Sequence, residues 1–316
     1  MNSENKPLVS VIIPVFNTAL QLKRCLDSVL TQSLADFEVI CINDGSTDNS
    51  LEVLQKYAQK DPRIRIFSQE NKKQGAARNL GVQKAKGKYI FFLDSDDFLP
   101  TYALKTLVEI AQETGVPVVI SEDYFVSSKK EVIPQTVNVQ WWVKHNPLPN
   151  FLKKRKARSA VWNKLYRADV LKKYQFIEGI YWEDLPFIVV LMAKIKSCAY
   201  TRIPCYVYDN VRVNSDCRSA CIPAKITSYL MGVHYIKEHL KDNPVFLKLV
   251  LRRRVPLSIQ IMIRRVWKAH KTNPDLVPVL FDQLKKLEAE GAFRWYWFSL
   301  KTLVRLAKMK RILKKR

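Results

Sequence analysis

Lys88-Tyr89-Ile90-Phe91-Phe92-Leu93-Asp94-Ser95-Asp96-Asp97 decides the fold. Its first six residues are aromatic and β-branched, the pattern of a short strand buried at the centre of a sheet. Three carboxylates follow at its end, and Pro100 closes the segment. Alternation along a strand puts Asp94 and Asp96 on the same side of the backbone. Two carboxylates so close resist joint ionisation unless a cation sits between them. A hard divalent ion with oxygen ligands, Mg²⁺ or Mn²⁺, suits that place and keeps coordination sites open for phosphate oxygens. The alternative is an acidic surface turn that caps the following helix, but so apolar a strand argues against an idle ending.

Working outward, strands and helices alternate. Leu8 to Ile13 reads as a strand stopped by Pro14, and Leu20 to Leu30 has helical apolar spacing. Phe37 to Ile42 is a second strand; it ends in Asn43-Asp44-Gly45-Ser46-Thr47-Asp48, a tight turn with an N-cap for a helix over Asn49 to Gln59. Ile64 to Phe67 is a third strand, Gly75 to Ala85 a helix, and Tyr89 to Leu93 the fourth strand. Tyr102 to Thr114 and Val116 to Ile120 add a helix and a strand, and Glu122 to Val139 reads as a hairpin or excursion. Helices are expected over Arg167 to Lys173 and Glu183 to Lys194. The βαβ spacing predicts an α/β fold with a mostly parallel, doubly wound sheet. Ligands on such sheets bind beyond the carboxyl ends of the strands, where Pro14 to Asn17, Asp44 and the Asp94 cluster all fall.

Charge divides the 316 residues. Residues 1–120 hold 14 basic and 14 acidic side chains, so the rest hold 39 and 15, which is the whole net +24. That asymmetry predicts a neutral ligand-binding half joined to a half that meets something anionic. After Pro204 to Tyr208 long helical segments rich in Arg and Lys take over, which divides the chain into a ligand-binding domain, residues 1–218, and a basic α-helical region, residues 219–316. The six cysteines include no CxxC pair, and none of the four histidines has zinc-ligand spacing to them, so free buried thiols are expected. No secretory leader is visible, and no apolar run approaches the ~20 residues of a spanning helix. Pro14-Val15-Phe16-Asn17-Thr18 contains no glycine, so a dinucleotide cradle is excluded. The same lack counts against a sugar nucleotidyltransferase. A nucleic-acid-binding protein fits the charge but has no accompanying motif.

Four stretches in order, Val9 to Asn17, Asn43 to Asp48, Gly75-Ala76-Ala77-Arg78-Asn79 and Asp94 to Asp97, resemble the family 2 glycosyltransferases of GT-A fold, the type found in bacterial surface-polysaccharide assembly. The likeness extends to about residue 215. It implies a Rossmann-like GT-A domain and an inverting hexosyl- or N-acetylhexosaminyltransferase with a nucleotide-sugar donor, UDP-linked in most members. Pro14, Val15 and Asn17 would line the base site and Asp44 would bond the uracil ring. Arg78, Asn79 and Asp94 would face the donor, with Asp96 on the metal and Asp97 as a further ligand or an orienter. Tyr181-Trp182-Glu183-Asp184 matches the family's Glu-Asp motif, with Asp184 as general base and Glu183 at a sugar; N-capping of the following helix is the structural alternative. Trp162 and Lys164 would lie on the acceptor side, where a Trp stacks on a sugar or packs in the core. Relatives bring an Arg and a Ser over the diphosphate after a Tyr-x-Tyr strand; here the nearest are Arg212 and Ser215, and Asp209 departs from the pattern.

The acceptor implied is a glycan or lipid-linked glycan. Residues 294–316 carry nine Lys or Arg and no acid. On a helical wheel Trp295, Phe298, Leu303, Leu306, Met309 and Leu313 oppose Lys301, Arg305, Lys308, Arg311 and Lys315. Such a helix suits an anionic membrane surface, or packs on its own domain with a solvated cationic side. Peripheral attachment at the cytoplasmic face of the plasma membrane is the expectation.

Overall fold

The structure, a computed structural model, describes residues 6–129, 132–135, 137–153, 159–210, 222–294 and 298–314. Four parallel strands, β1 (Val9–Val15), β2 (Phe37–Asp44), β3 (Ile64–Gln69) and β4 (Tyr89–Phe92), alternate with helices α1 (Ala19–Leu30), α2 (Ser50–Lys60) and α3 (Lys73–Lys84). All seven residues of β1 are buried, as a strand covered on both faces requires. Its one hydroxyl is satisfied: Ser10 Oγ donates to Glu38 Oε1 at 2.7 Å and accepts from Gly87 N at 2.8 Å.

Pro14 does not stop β1 as expected. The ladder to β4 ends at the Ile12–Phe92 pair, so at Pro14 only the β2 side is still paired and a missing N–H is tolerated. After α4 (Ala103–Thr114) and β5 (Val118–Ser121) the topology departs further from the sequence expectation. Three strands were not anticipated: β7 (Trp141–His145), β8 (Lys164–Arg167) and β9 (Ser197–Thr201). The sheet runs β3-β2-β1-β4-β8-β5-β9-β7, with β8 antiparallel to both β4 and β5 and β7 antiparallel to β9. Among the described residues of the Glu122 to Val139 stretch, a strand β6 (Phe125–Val126) and a 3-10 turn at Ser127–Lys129 form, and β6 pairs in parallel with β10 (Val207–Tyr208).

The chain folds as two compact units, and the division is not one cut near residue 218. Met1–Pro147, Arg158–Gly179 and Lys194–Val213 form the first; Leu148–Ala157, Ile180–Ala193 and Asn214–Arg316 form the second. Helices α5 (Pro147–Lys153) and α7 (Asp184–Lys194) therefore fall largely in the second unit, and the short α6 (Ala168–Leu171) in the first. The second unit continues with α8 (Pro223–Leu240), α9 (Pro244–Arg253), α10 (Val255–Ala269), α11 (Leu276–Ala289) and α12 (Leu300–Lys314). Its core includes Ile259, Ile263, Leu280, Phe293, Leu306 and Met309. The apolar side of α12 is thus inside its own unit: Phe298, Leu306 and Met309 are at most 6% exposed. Those side chains are packed within the unit, the second of the two arrangements expected for this helix, with its cationic side left to solvent. Trp295 and the side chains of Leu313 and Lys315 lie outside the described residues. No helix among the described residues is long and apolar enough to cross a membrane. Cys25, Cys41, Cys198 and Cys205 are free and buried, as expected.

Candidate active site

Three loops meet at the carboxyl ends of β1, β2 and β4. Asn17, at φ +50°, accepts from Thr47 N through Oδ1 at 2.8 Å, while its own N–H donates to Ser46 Oγ at 3.2 Å. Asp48 reaches the start of α1, accepting from Ala19 N at 3.0 Å, and Ser50 Oγ accepts from Thr18 N at 3.0 Å. Thr18 Oγ1 in turn donates to Ser95 Oγ at 3.0 Å, joining the first loop to the aspartate cluster. Gly45 lies at φ +73°, and a Cβ there would come within 2.8 Å of Asn71 N. Only glycine meets both conditions.

These bonds occupy the side chains of Asn17 and Asp48. Asp44 differs: it is buried, and Oδ1 accepts from Gln69 Nε2 at 2.7 Å and Lys72 N at 2.9 Å. Its other oxygen has no partner among the described residues, so it is the acceptor this loop offers to a ligand N–H. Pro14 and Val15 are buried, and Val15 belongs to the core, so only their backbone can border a ligand. The exposed side chain here is Phe16, 42% accessible. Sequence reading passed over it, although an aromatic residue directly after a buried strand was the available signal.

Asp94 to Asp97 is a turn, closed by Asp97 N donating to Asp94 O at 3.0 Å. The strand ends at Phe92, so the side-chain alternation expected for Asp94 and Asp96 does not apply. Charge repulsion in the cluster is relieved from within. Arg78, 2% exposed on α3, donates to Asp94 Oδ1 at 2.8 Å and to Gln74 Oε1 at 3.2 Å. Both oxygens of Asp97 accept protein donors, which fixes the carboxyl in place. Tyr206 Oη donates to Oδ2 at 2.6 Å and Asp209 N to Oδ1 at 2.7 Å. Burial, reinforced by the charges of Asp96 and Asp94, pushes the Asp97 carboxyl well above the usual carboxylate range. Tyr206 Oη also accepts from Asp94 N at 3.2 Å, and Asp209 pairs with Arg24, whose Nη2 donates to Asp96 O at 3.2 Å. Sequence reading missed this Asp97–Tyr206–Asp209–Arg24 network, and only the Tyr-x-Tyr pattern hinted at it.

Asp96 is partly exposed on the same turn. Among the described residues no three His, Cys, Asp or Glu side chains form a metal cage. The donor set nonetheless fits a Mg²⁺- or Mn²⁺-type ion, which commonly takes one or two carboxylates and completes its shell with water and substrate phosphate. Asp96 and the oxygens of Asp94 are the groups that would hold it.

Other expected site residues are placed differently. Asn79 grips the chain near residue 176: Nδ2 donates to Phe176 O at 3.0 Å and Glu178 Oε1 at 2.9 Å, and Oδ1 accepts from Phe176 N at 2.8 Å. Both ends of its amide are engaged within the protein. Lys164 is 1% exposed and donates to Ala160 O and Asn163 Oδ1, both at 2.6 Å, which withdraws it from any acceptor surface. Trp162 stacks on Tyr206 at 4.2 Å between ring centres, with Tyr124 edge-on at 5.1 Å. Arg212 and Ser215 lie outside the described residues.

Glu183 and Asp184 belong to the second unit. Asp184 opens α7, its Oδ1 accepting from Leu185 N at 2.8 Å, and Glu183 is buried at 5% exposure, which leaves little surface for a sugar. Trp182 sits at φ +58°, a backbone conformation that a bulky side chain adopts only under constraint.

A family model described as glycosyl transferase family 2 matches residues 10–175. The chain is 35% identical over 216 residues to the glycosyltransferase YibD of Escherichia coli (strain K12), covering 66% of this chain and 62% of that one. It is 35% identical over 188 residues to the glycosyltransferase EpsJ of Bacillus subtilis (strain 168), covering 57% and 55%. The chain spans about three-fifths of the length of the curated relatives it matches. Among solved structures, S. aureus TarS 1-349 in complex with UDP-GlcNAc superposes with a TM-score of 0.66 at 21% identity, over 88% of this chain and 81% of that one. The mannosyltransferase PcManGT from Pyrobaculum calidifontis, in complex with GDP-Man and Mn2+, gives 0.50 at 15% identity, over 98% and 81%. At such identities the likeness establishes the fold, and the expected GT-A arrangement is borne out.

Proposed function

Since this chain belongs to glycosyl transferase family 2, we propose that it transfers a hexosyl or N-acetylhexosaminyl group, with inversion, from a UDP-linked donor to a glycan or lipid-linked glycan hydroxyl in polysaccharide synthesis. The observation that carries this reading is the hydrogen-bonded convergence of the Asn17, Asp44 and Asp94–Asp97 loops at the carboxyl ends of adjacent parallel strands. The free oxygen of Asp44 accepts a nucleobase N–H, and Phe16 offers a face for the base. Arg78 holds Asp94 in place beside the ribose or sugar. A divalent ion on Asp96, when bound, neutralises charge that develops on the departing diphosphate. Asp184 takes the proton of the acceptor hydroxyl as that oxygen attacks the anomeric carbon from the face opposite the leaving nucleotide.

Nucleotide release tests the reading across a panel of UDP- and GDP-sugars with Mn²⁺, Mg²⁺ or EDTA. Release by the wild type with one donor and a divalent ion is expected. Its loss by about 10²-fold or more in Asp96→Asn, at unchanged melting temperature, is expected with it. No release above background from any donor, or release indifferent to EDTA and to Asp96→Asn, would sink it.

For the partner of the basic unit we propose electrostatic contact with an anionic membrane, without insertion. The exposed side of α10 carries Leu257, Ile261, Arg264 and Lys268, and that of α12 carries Lys301, Val304 and Lys308. Trp267, Lys301, Val304, Arg305 and Lys308 line a groove on this face. Cations beside scattered apolar side chains fit anionic headgroups at a bilayer surface.

A further inference from the structure

Cations of the helical unit surround the Tyr181–Asp184 segment. Lys225, on α8 and 1% exposed, sits over the Tyr181 ring at 5.2 Å. Arg265, on α10, covers the Trp182 ring at 5.0 Å. Ser228 Oγ accepts from Tyr181 N at 3.1 Å. Arg254, between α9 and α10, shares a small apolar cavity with Tyr181, Trp182, Leu185 and Pro186, the residues flanking Asp184. Its guanidinium carbon lies over the Phe151 ring, 5.6 Å from the centroid. Tyr229, on another wall of the cavity, donates to Val255 O at 3.0 Å and fixes the backbone next to Arg254. Burial lowers the Arg254 guanidinium from the usual arginine range, and the charge of Asp184 opposes that fall. The left-handed backbone at Trp182 is the kind of strain that persists only where its surroundings fix it, and here they are cationic and aromatic.

We propose that Arg254 is the positioning residue of Asp184: its guanidinium keeps that carboxylate ionised and fixed at the head of α7, ready to receive a proton. The role of receiver rests on the reading of Asp184 as general base; the electrostatic pairing does not. Arg254 lies beyond residues 10–175, so the helical unit contributes a working part from outside the stretch that the family model covers. A cation within a few Å of a carboxylate lowers its midpoint of titration by about one to three pH units, and a planar guanidinium also fixes its orientation.

The test uses the full chain with ¹³C-carboxyl-labelled aspartate, the Asp184 resonance being assigned by its loss in Asp184→Asn. The resonance is titrated in wild type, Arg254→Gln, Arg254→Met and Arg254→Lys. Expected is an upward move of the Asp184 midpoint by about one pH unit or more in the Gln and Met variants, with Lys staying near wild type. Met keeps an apolar stem against Phe151 and serves if the Gln variant does not fold. A midpoint unchanged within a few tenths of a unit in a folded charge-free variant overturns the proposal, as does a Lys variant that shifts as far as Met. Nucleotide release by Asp184→Asn is measured separately. Undiminished release there removes the general-base reading while leaving the pairing to stand or fall on the titration.

Discussion

Asp97 and Asp44 lie in motifs that look equally acidic, yet the structure uses them oppositely. Asp97 has both oxygens bonded inside the protein, while Asp44 keeps one open. That difference was not legible in the sequence, because it depends on where Tyr206 and Asp209 arrive from more than 100 positions away. What was legible is the co-location of Asn17, Asp44 and Asp94 at strand ends, since this follows from local strand boundaries and the βαβ rule. The surroundings of Asn79 and Lys164 were not legible for the same reason: their partners are set by tertiary contact, which residue type does not encode. The Asp97 network gives a prediction. Tyr206→Phe should cost about 1–3 kcal/mol of unfolding free energy, because a buried carboxyl loses one of its two donors. Denaturant midpoints measure it, and a cycle with Asp97→Asn should show coupling of about 0.5 kcal/mol or more. Additive effects would mean that the two side chains do not act together.

At the scale of elements, α3 shows why a correct helix prediction still understates its role. It was legible from Gly75 to Ala85, and it forms over Lys73–Lys84. What periodicity could not reveal is how close it lies to β1: a Cβ on Gly81 would stand 2.3 Å from Ile12 Cγ2. That approach helps to fix the helix that carries Arg78. Gly81→Ala gains helix propensity of about 1 kcal/mol but meets a fully buried neighbour that cannot move aside. A net destabilisation of about 1–2 kcal/mol is expected, seen as a lower melting temperature. A variant that melts at or above the wild-type temperature would show that the α3–β1 packing has slack. The strands missed in the sequence share one trait. β7, β8 and β9 are four or five residues long and interrupted by Lys, His or Ser, so neither alternation nor an apolar run marks them.

Over the whole molecule, composition alone located the charge: the +24 lies entirely beyond residue 120. It could not say which side of the last helix is covered, because a basic amphipathic pattern suits a bundle and a membrane alike. Burial of Leu306 and Met309 decides for the bundle, leaving Lys301, Arg305 and Lys308 at its surface. Binding to vesicles containing phosphatidylserine or phosphatidylglycerol should therefore be abolished by about 0.5 M salt and weakened several-fold in the triple Lys301→Gln, Arg305→Gln, Lys308→Gln variant, at unchanged stability. Flotation that is insensitive to both would instead indicate insertion of apolar side chains. The antiparallel placement of β8 between β4 and β5 also bears on biosynthesis. A nascent chain that has emerged only to about residue 160 can pair β1 to β4 but cannot join β5 to them in one sheet, because the strand that links the β4 edge to β5 has not yet appeared. Two unpaired, apolar edges then stay open until Arg167 leaves the ribosome, and any truncation ahead of that point creates a sticky fragment rather than a smaller folded unit.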